Sequence, residues 1–326
     1  MKKELGIFLI LAAVCLAVGW STPNFYSPYN VKNLSTLIGM FGIFGVGLAL
    51  VIISGGIDLS VGSVFALLGV TLYIMLREWH WPWPIATAVI VAGAACLGAI
   101  HAFLITKVRL QSFIVTLCGM LIYRSVARYI ISDASAGFGA ENFGVFRALA
   151  SGRVGIPFTR YVIGAPFVAF VAVAAIMWVV LHRSVYGRYL FAVGRNEDAA
   201  RYSGINSKLV VAGAYVLCTV LAAFSGILFA IDTNTIQASD FGIGYEMYGI
   251  AAAVLGGCSL RGGEGSILGV VIGTALLQVL QNAVNLLGIP SSLNFAVMGG
   301  VILVGVLADQ ILAQRRAHRK QLTKAA

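Results

Sequence analysis

The sequence predicts an all-α integral membrane protein with about ten transmembrane helices. Hydrophobic residues make up 60% of the 326 residues, charged residues make up only 10%, and the mean hydropathy is +0.93. A soluble domain carries about a quarter charged residues, so this chain could not solvate an ordinary surface. Long apolar runs separated by polar connections recur along the chain, which predicts a single transmembrane domain over residues 1–326.

The predicted spans are runs long enough to cross the hydrocarbon core, which takes roughly 20 apolar residues or somewhat fewer. The run at 5–20 follows Lys2 and Lys3 and resembles a signal peptide. No small-residue cleavage site follows it, so we expect a retained first helix. The run at 243–258 is short and rich in glycine, which leaves open whether it is complete or re-entrant. The ten runs are 5–20, 35–53, 60–77, 85–106, 112–131, 162–182, 209–231, 243–258, 265–287 and 294–312.

The basic residues predict which side of the membrane each connection faces. With ten spans both termini lie on one side, and 15 of the 22 Lys and Arg residues fall on that side. An excess of Lys and Arg marks the cytoplasmic side, so both termini are predicted to be cytoplasmic. Topology and anionic lipid headgroups then explain the net charge of +10, including a basic cytoplasmic tail at 313–326. Nucleic acid is not an expected partner.

The sequence carries no signature of catalysis, of a cofactor or of a metal site. No Gly-Lys pair occurs, so a GxxxxGK[ST] phosphate loop is excluded, and HExxH, GxSxG and CxxC patterns are absent as well. The five cysteines lie within or at the edges of apolar runs, which favours core packing over disulfides. His101 lies inside the fourth span with no carboxylate nearby in sequence, which favours packing over proton transfer. We expect a non-enzymatic protein whose energy comes from a partner or a gradient.

One long polar connection, 183–208, predicts a compact cytoplasmic element around a short helix. Asn196 suits the N-cap, and Glu197 places negative charge in the first turn. Arg201 falls in the last turn, and Gly204 is placed to end the helix. On composition alone, the pattern fits an ordinary amphipathic surface helix as well as a rigid docking element.

Three glycine-rich strings resemble, in the same order, those of ribose-type ABC sugar importer permeases. They are SGGIDLSVGS at 54–63, AVGRNEDAARYSGI at 192–205, and AAAVLGG at 251–257 with its continuation to Gly269. Weaker similarity covers roughly 24–309. The resemblance implies the type II ABC importer permease fold in a multi-pass protein of the bacterial inner (plasma) membrane. It also implies import of a monosaccharide, of pentose or hexose type, from periplasm to cytoplasm.

The resemblance further implies partners. A separate ABC ATP-binding subunit would hydrolyse ATP, a periplasmic sugar-binding protein would deliver the sugar, and a second permease copy or a paralogue would complete the pore. The connection 183–208 would be the coupling loop, which seats in a groove of the ATP-binding subunit and transmits its closure. The coupling residues in this sequence would be Gly194, Arg195, Asn196, Glu197, Ala200, Arg201 and Gly204.

Polar side chains in the ninth span predict either a transport path or contacts between helices. Gln278, Gln281, Asn282 and Asn285 share one broad face of that helix. Amides that face lipid tails would be costly, so these side chains must meet protein or water. They either line the translocation path, where neutral donors and acceptors suit sugar hydroxyls, or hydrogen-bond within the subunit.

Three other features also have two interpretations each. Tyr245 and Glu246 open the eighth span near the predicted outer face. They either contact the binding protein or the pore mouth, or simply form an ordinary helix start with a carboxylate in its first turn. Asp58 precedes the third span. It is either a cytoplasmic gate or ATPase-facing contact, or the N-cap of a helix that begins near Ser60. Glycines at four-residue spacing predict a face for close helix packing. They are Gly265, Gly269 and Gly273.

The chain departs from the family pattern at two places. Glu246 is followed by Met247 and Tyr248, where relatives usually carry an acidic or amide residue, and Cys258 and Arg261 replace small or hydroxyl residues. These departures leave the resemblance intact but weaken any inference of the sugar. The alternative function is a gradient-driven secondary sugar transporter, which needs coupling groups near the bilayer midplane that the spans do not offer beyond His101.

Overall fold

The computed structural model describes residues 2–139, 143–290, 293–297, 299, 300 and 303. The described chain is mostly helical, with a 3₁₀ turn at Pro23–Tyr26 and four strands of three residues. The helices are α1 (Lys2–Ser21), α2 (Pro28–Ile53), α3 (Val61–Arg77), α4 (Trp83–Thr106), α5 (Ser112–Ile130), α6 (Val145–Ser151), α7 (Ala165–His182), α8 (Val185–Arg195), α9 (Glu197–Tyr202), α10 (Ser207–Thr233), α11 (Tyr245–Leu255) and α12 (Ile267–Leu286). The strands are β1 (Ser135–Gly137), β2 (Arg153–Gly155), β3 (Val162–Gly164) and β4 (Thr235–Gln237).

Seven of these helices are long and apolar enough to cross a membrane: α1, α2, α4, α5, α7, α10 and α12. Helices α3 and α11 are apolar but shorter, with 17 and 11 residues. Nine of the ten predicted spans therefore coincide with apolar helices. The tenth, 294–312, lies mostly outside the described residues, and the predicted tail at 313–326 lies wholly outside them.

Helix α2 forms the centre of the helix packing. It is 94% buried over its most apolar stretch and packs against α7, α10, α11 and α12, whereas α1 is only 6% buried and lies at the periphery. Small residues permit the close approach: a Cβ on Gly39 would lie 2.3 Å from the Pro166 backbone of α7, and one on Gly47 would lie 2.9 Å from Cα of Cys218 on α10. The apolar outer faces of α1, α4, α5 and α7 suit lipid.

Helix α11 is too short to span a membrane. Eleven residues rise about 16 Å, roughly half of a hydrocarbon core of about 30 Å. The preceding connection turns through Gly242 and Gly244, with φ of +78° and +73°. The predicted span at 243–258 is therefore a half-length helix.

The connection predicted at 132–161 carries some regular structure in its described part. Strand β1 pairs antiparallel with β4, with Ala136 opposite Ile236, and β2 pairs antiparallel with β3, with Val154 opposite Ile163. Between these strands α6 packs against α7 and α10. The two strand pairs and α6 lie at the opposite end of α7 and α10 from α8 and α9, which connect the other ends of those two helices.

Candidate functional site

The polar connection at 183–208 folds into two helices. The predicted capped helix is α9, where Asn196 Oδ1 accepts a hydrogen bond from the Ala199 amide at 2.9 Å. Ser207 Oγ donates to Glu197 Oε1 at 2.9 Å, which joins the start of α9 to the start of α10. Gly204 follows the helix with a φ of +81°, a left-handed conformation that favours glycine. The short helix and its cap are confirmed.

Helix α8 is an element that sequence reasoning missed. Its buried residues recur at three-residue spacing, which would have predicted an amphipathic helix. The Tyr186 hydroxyl donates to the Val210 carbonyl of α10 at 3.1 Å, and burial raises the pKa of Tyr186, so it remains a donor. The buried residues are Gly187, Leu190 and Val193.

The three family-like strings meet at a cluster of backbone contacts, called here the glycine seat, formed by Gly55, Gly194, Gly262 and Gly263. A Cβ on Gly194 would lie 1.9 Å from the Ile53 carbonyl oxygen and 2.5 Å from the Gly263 nitrogen. The Gly263 amide donates to that same carbonyl at 2.8 Å. A Cβ on Gly262 would lie 2.6 Å from the Gly194 oxygen and 2.8 Å from Cα of Gly55. The loop therefore rests directly on backbone of α2 and of the turn before α12.

The exposed surface of α9 differs from the set of residues that the resemblance implies. Ala200 is only 4% exposed, and its carbonyl accepts from the Ile205 amide at 3.1 Å, so it supports the loop from within. Arg195 and Arg201 are exposed, and Tyr202 is 93% exposed. Tyr202 was not singled out from the sequence, although a tyrosine on so polar a helix is an available signal.

The amides of α12 make contacts to two neighbouring helices. Asn282 and Asn30 of α2 exchange two hydrogen bonds, at 3.0 and 2.7 Å. Gln281 donates to the Tyr248 hydroxyl of α11. Gln278 is 1% exposed and neither polar atom of its side chain has a hydrogen-bond partner, whereas Asn285 is exposed. Asn282 and Gln281 thus join helices in this conformation, and the role of the four amides in a path stays a prediction.

The glycines before these amides lie where α12 meets α11. A Cβ on Gly269 would lie 1.9 Å from the Gly256 carbonyl oxygen, and one on Gly273 would lie 2.2 Å from that of Ala252. Gly265 lies in the turn before α12, and a Cβ on it would lie 2.8 Å from the Cys258 sulfur. Burial raises the pKa of Cys258 to about 12, which makes this thiol unreactive at neutral pH.

The structure places Glu246 inside the protein. It is 6% exposed, and a Cβ on Gly62, in the first turn of α3, would lie 2.5 Å from its Oε2. Arg124 of α5, late in the fifth predicted span, was expected to extend outward to the membrane surface, and this is wrong. It donates to the carbonyls of Phe241 at 2.6 Å, Ala238 at 2.8 Å and Gly62 at 3.0 Å. Arg124 therefore joins the starts of α3 and α11. Glu246 is not accessible to a binding protein in this conformation, and a role at the pore mouth stays a prediction.

Tyr245 belongs to an aromatic cluster between α2, α3, α10 and α11. Its ring centroid lies 4.8 Å from that of Phe41, 5.1 Å from Phe229 and 5.7 Å from Phe65. Edge-to-face and tilted pairs of this kind stabilise packed helices. The half-buried ring thus fixes the start of α11 against its neighbours.

Asp58 does not cap α3. The N-cap residue is Ser60, and no side chain caps the helix. Asp58 Oδ1 instead accepts from the Ser60 amide at 2.8 Å and from the Ser60 hydroxyl at 2.6 Å. The carboxylate is 0% exposed, so it does not face a partner in this conformation. The N-cap interpretation is wrong because α3 begins only at Val61, three residues after Asp58, and the carboxylate binds the Ser60 amide instead of an amide in the first turn of the helix.

Comparison with known proteins matches almost the whole chain. Residues 30–306 match the family described as branched-chain amino acid transport system / permease component. The ribose import permease protein RbsC of Escherichia coli K12 is 38% identical, over 94% of this chain and 93% of that protein, and RbsC of Bacillus subtilis is 36% identical, over 95% and 94%. The L-arabinose transport system permease protein AraH of Escherichia coli K12 is 34% identical, over 94% and 90%. No solved structure matches.

Proposed function

This chain belongs to the family of branched-chain amino acid transport system permease components, and we propose that it works by passing the closure of a separate ATPase to its own helices. It is the membrane-spanning, non-catalytic permease subunit of an ABC sugar importer, and it lies in the inner membrane. The relatives are named for ribose, L-arabinose and D-allose. The proposed cargo is accordingly a monosaccharide of pentose or hexose type.

The observation that carries the coupling proposal is the glycine seat. Gly194 contacts the backbone of Ile53 and Gly263 directly, so no flexible side chain lies between the loop and the membrane helices at this point. A rigid element with one docked position can pass a displacement on to the elements beneath it, whereas a mobile loop cannot. Closure of the ATP-binding subunit against α9 would therefore move the end of α2 and the turn before α12 together.

The partner surface for the ATP-binding subunit would be the exposed side of α9 and the end of α8. It offers the cations Arg195 and Arg201 together with Tyr202, and Arg and Tyr are the residue types that contribute most at protein interfaces. The other residues implied by the resemblance would fix the conformation of the loop that carries this surface. They are Gly194, Asn196, Glu197, Ala200 and Gly204.

The proposed topology follows from the charge distribution. The chain is one transmembrane domain over 1–326, with the coupling loop 183–208, both termini and the basic tail 313–326 in the cytoplasm. The periplasmic sugar-binding protein would dock at the opposite end, where the two-stranded sheet of β1 and β4 lies. A second copy or a paralogue would complete the pore.

The proposed path for the sugar runs along the outer half of α12. A small cavity between α11, α12 and residues 294–297 is lined by Tyr248, Gln281 and Asn294 together with aliphatic side chains. Amides, a phenol and apolar surface are the groups that suit a monosaccharide, which has both hydroxyls and C–H faces. The cavity, of about 10 Å³ in this conformation, would have to widen to admit the sugar. Gln278 and Asn285 would extend this lining, and Asn282 would join it once its pairing with Asn30 opens.

The test is ATPase activity of the reconstituted complex, containing this chain, its ATP-binding subunit and its binding protein, across a panel of sugars. We expect pentoses or hexoses to stimulate ATP hydrolysis and branched-chain amino acids to leave it unchanged. Stimulation by branched-chain amino acids and by no sugar would refute the proposed cargo while leaving the coupling proposal intact.

A further inference from the structure

Two buried polar side chains in the middle of α12, Thr274 and Gln278, have no hydrogen-bond partner among the described residues. Thr274 is 2% exposed and Gln278 is 1% exposed. The atoms without a partner are the hydroxyl oxygen of Thr274 and both polar atoms of the Gln278 amide. Their four-residue spacing places the two side chains on one face of the helix. Buried polar groups are normally paired, so this face requires partners that another molecule or another conformation supplies.

The Thr274 hydroxyl is unpaired although its own helix offers an acceptor. A threonine within a helix can donate to the carbonyl four residues earlier, and every other threonine within a described helix of this chain does so. Those threonines are Thr36, Thr71, Thr87, Thr106, Thr116, Thr219 and Thr233. The Thr274 oxygen lies instead 3.6 Å from the position that a Cβ on Gly45 of α2 would take. It therefore faces the neighbouring helix.

Gly45 leaves room beside this hydroxyl. A Cβ on Gly45 would make only ordinary contacts, at 3.6 Å or more. Cβ atoms on the other glycines of α2 would lie 2.9 Å or less from a neighbouring helix, and those glycines are Gly39, Gly42 and Gly47. Close packing against α7 and α10 explains these other glycines, but it does not explain Gly45.

The interface of α2 and α12 is hydrogen-bonded on either side of this unpaired segment. At one end the Gly263 amide, in the turn before α12, donates to the Ile53 carbonyl of α2 at 2.8 Å. At the other end Asn30 and Asn282 exchange two hydrogen bonds. The two helices are thus held together at their ends, while the middle of their interface carries unused donors and acceptors.

We propose that Thr274 and Gln278 bind hydroxyls of the transported sugar when α2 and α12 move apart, and that Thr274 contributes to the choice of sugar. A hydroxyl and an amide can each donate and accept, as a sugar hydroxyl does. The space beside Gly45 admits a methyl group in this conformation, so the sugar enters only when the two helices separate. This inference rests on the proposed monosaccharide cargo, and it extends the proposed path inward by one helical turn beyond Gln278.

The test combines substitutions in the protein with changes in the sugar, in proteoliposomes that contain the complete importer. The measured quantity is the initial uptake rate of the transported sugar divided by that of each of its monodeoxy analogues, at saturating concentrations. The same binding protein is present in every sample, so its own preference cancels when this ratio is compared between variants. We expect Thr274→Val to lower the ratio for one analogue by about tenfold. Thr274→Ser retains a hydroxyl and should keep the ratio.

The matched control is Thr219→Val. The Thr219 hydroxyl is 0% exposed and donates to the Tyr215 carbonyl of its own helix at 3.1 Å, so this variant should keep every ratio. A second variant, Gly45→Ala, reaches the same point from α2. Its methyl group has room, so the chain should fold, and the ratio for the same analogue should change.

The melting temperature of the purified chain separates a sugar site from a structural one. Thr274→Val removes an unpaired hydroxyl and should not lower the melting temperature. Uptake with unchanged ratios in Thr274→Val and Gly45→Ala would overturn this inference alone. Unchanged ratios with a lower melting temperature would assign the hydroxyl to a buried water instead. No uptake of any sugar by the unmodified complex would refute the proposed cargo, and this inference with it.

Discussion

Gly194 is a residue whose size alone decides whether the coupling loop can rest on the membrane helices. Substitution by alanine would bring a Cβ to 1.9 Å from the Ile53 carbonyl oxygen, a backbone atom that cannot rotate away. Overpacking of this kind costs about 1–3 kcal/mol, so we expect Gly194→Ala to lower the thermal stability of the purified chain and to reduce transport. Gly155→Ala is the control, because a Cβ there meets nothing within 4 Å. Equal melting temperatures for the two variants would contradict the seat.

The pair Asn30 and Asn282 allows packing and transport roles to be separated. Replacing either one by leucine removes both hydrogen bonds between the amides and leaves polar atoms of the other without that partner, at a cost of about 1–3 kcal/mol. Replacing both removes those atoms, and the one further bond lost is that from Asn30 Nδ2 to the Phe25 carbonyl. We therefore expect the double variant to be more stable than the sum of the single losses implies, as measured by a double-mutant cycle of thermal unfolding. If Asn282 also lines the path, the double variant should regain stability without regaining sugar uptake. Additive stability losses would contradict the pairing.

Single residues also define what sequence could and could not predict. The cap at Asn196 and the stop at Gly204 were predictable because both act on neighbours within a few positions. Glu246 was expected near a surface but is buried against Gly62, a residue 184 positions earlier, which no local pattern reports. The same holds for Arg124, whose carbonyl partners include Gly62, 62 positions earlier, and Ala238, 114 positions later.

Helix α9 is the element on which the partner contact is predicted to depend. Its outward residues are Arg201 and Tyr202, so we expect Arg201→Glu with Tyr202→Ala to weaken association with the ATP-binding subunit by about tenfold or more. Co-purification and titration of the reconstituted complex measure this change. Arg153→Glu, an exposed arginine on β2, is the matched charge-reversal control and should leave association unchanged. Ala200 is unsuitable for this test because it is buried and its substitution would unfold the loop itself.

At the scale of elements, apolar length predicted where helices lie better than it predicted their ends. The run at 243–258 contains only the 11 residues of α11, because the glycines before it adopt positive φ and the chain cannot remain helical there. The connection at 183–208 was expected to hold one short helix, but it also holds α8. The buried residues of α8 are spaced for a helix, but the polar residues between them made its apolar face hard to recognise in the sequence.

The molecule as a whole has two chemically distinct ends, which predicts a one-sided labelling pattern. A cysteine at Tyr202 should react with a membrane-impermeant maleimide only from the cytoplasmic side, and a cysteine at Phe158 only from the periplasmic side. Both positions are highly exposed. The five native thiols should contribute little. Cys218 and Cys258 are buried, and the other three, Cys15, Cys96 and Cys118, lie on helices long and apolar enough to span the membrane. Labelling of Tyr202→Cys from the periplasm would reverse the proposed orientation.

For the whole molecule, the sequence correctly predicted a helical membrane protein, because every helix that crosses the lipid must be apolar along its length. The positions of nine apolar helices followed from composition and length alone. The arrangement of those helices around α2 did not, since close packing at Gly39 and Gly47 depends on partners on α7 and α10. The glycine seat likewise required the fold, although its three strings in order were recognisable in the sequence.

The most direct test of the account is uptake of a radiolabelled monosaccharide into proteoliposomes that contain this chain, with the ATP-binding subunit and ATP inside and the sugar-binding protein outside. The account predicts uptake that stops when either the ATP-binding subunit or ATP is omitted, and that falls in Gly194→Ala but not in Gly155→Ala. Uptake that continues without the ATP-binding subunit, driven by an ion gradient alone, would contradict it.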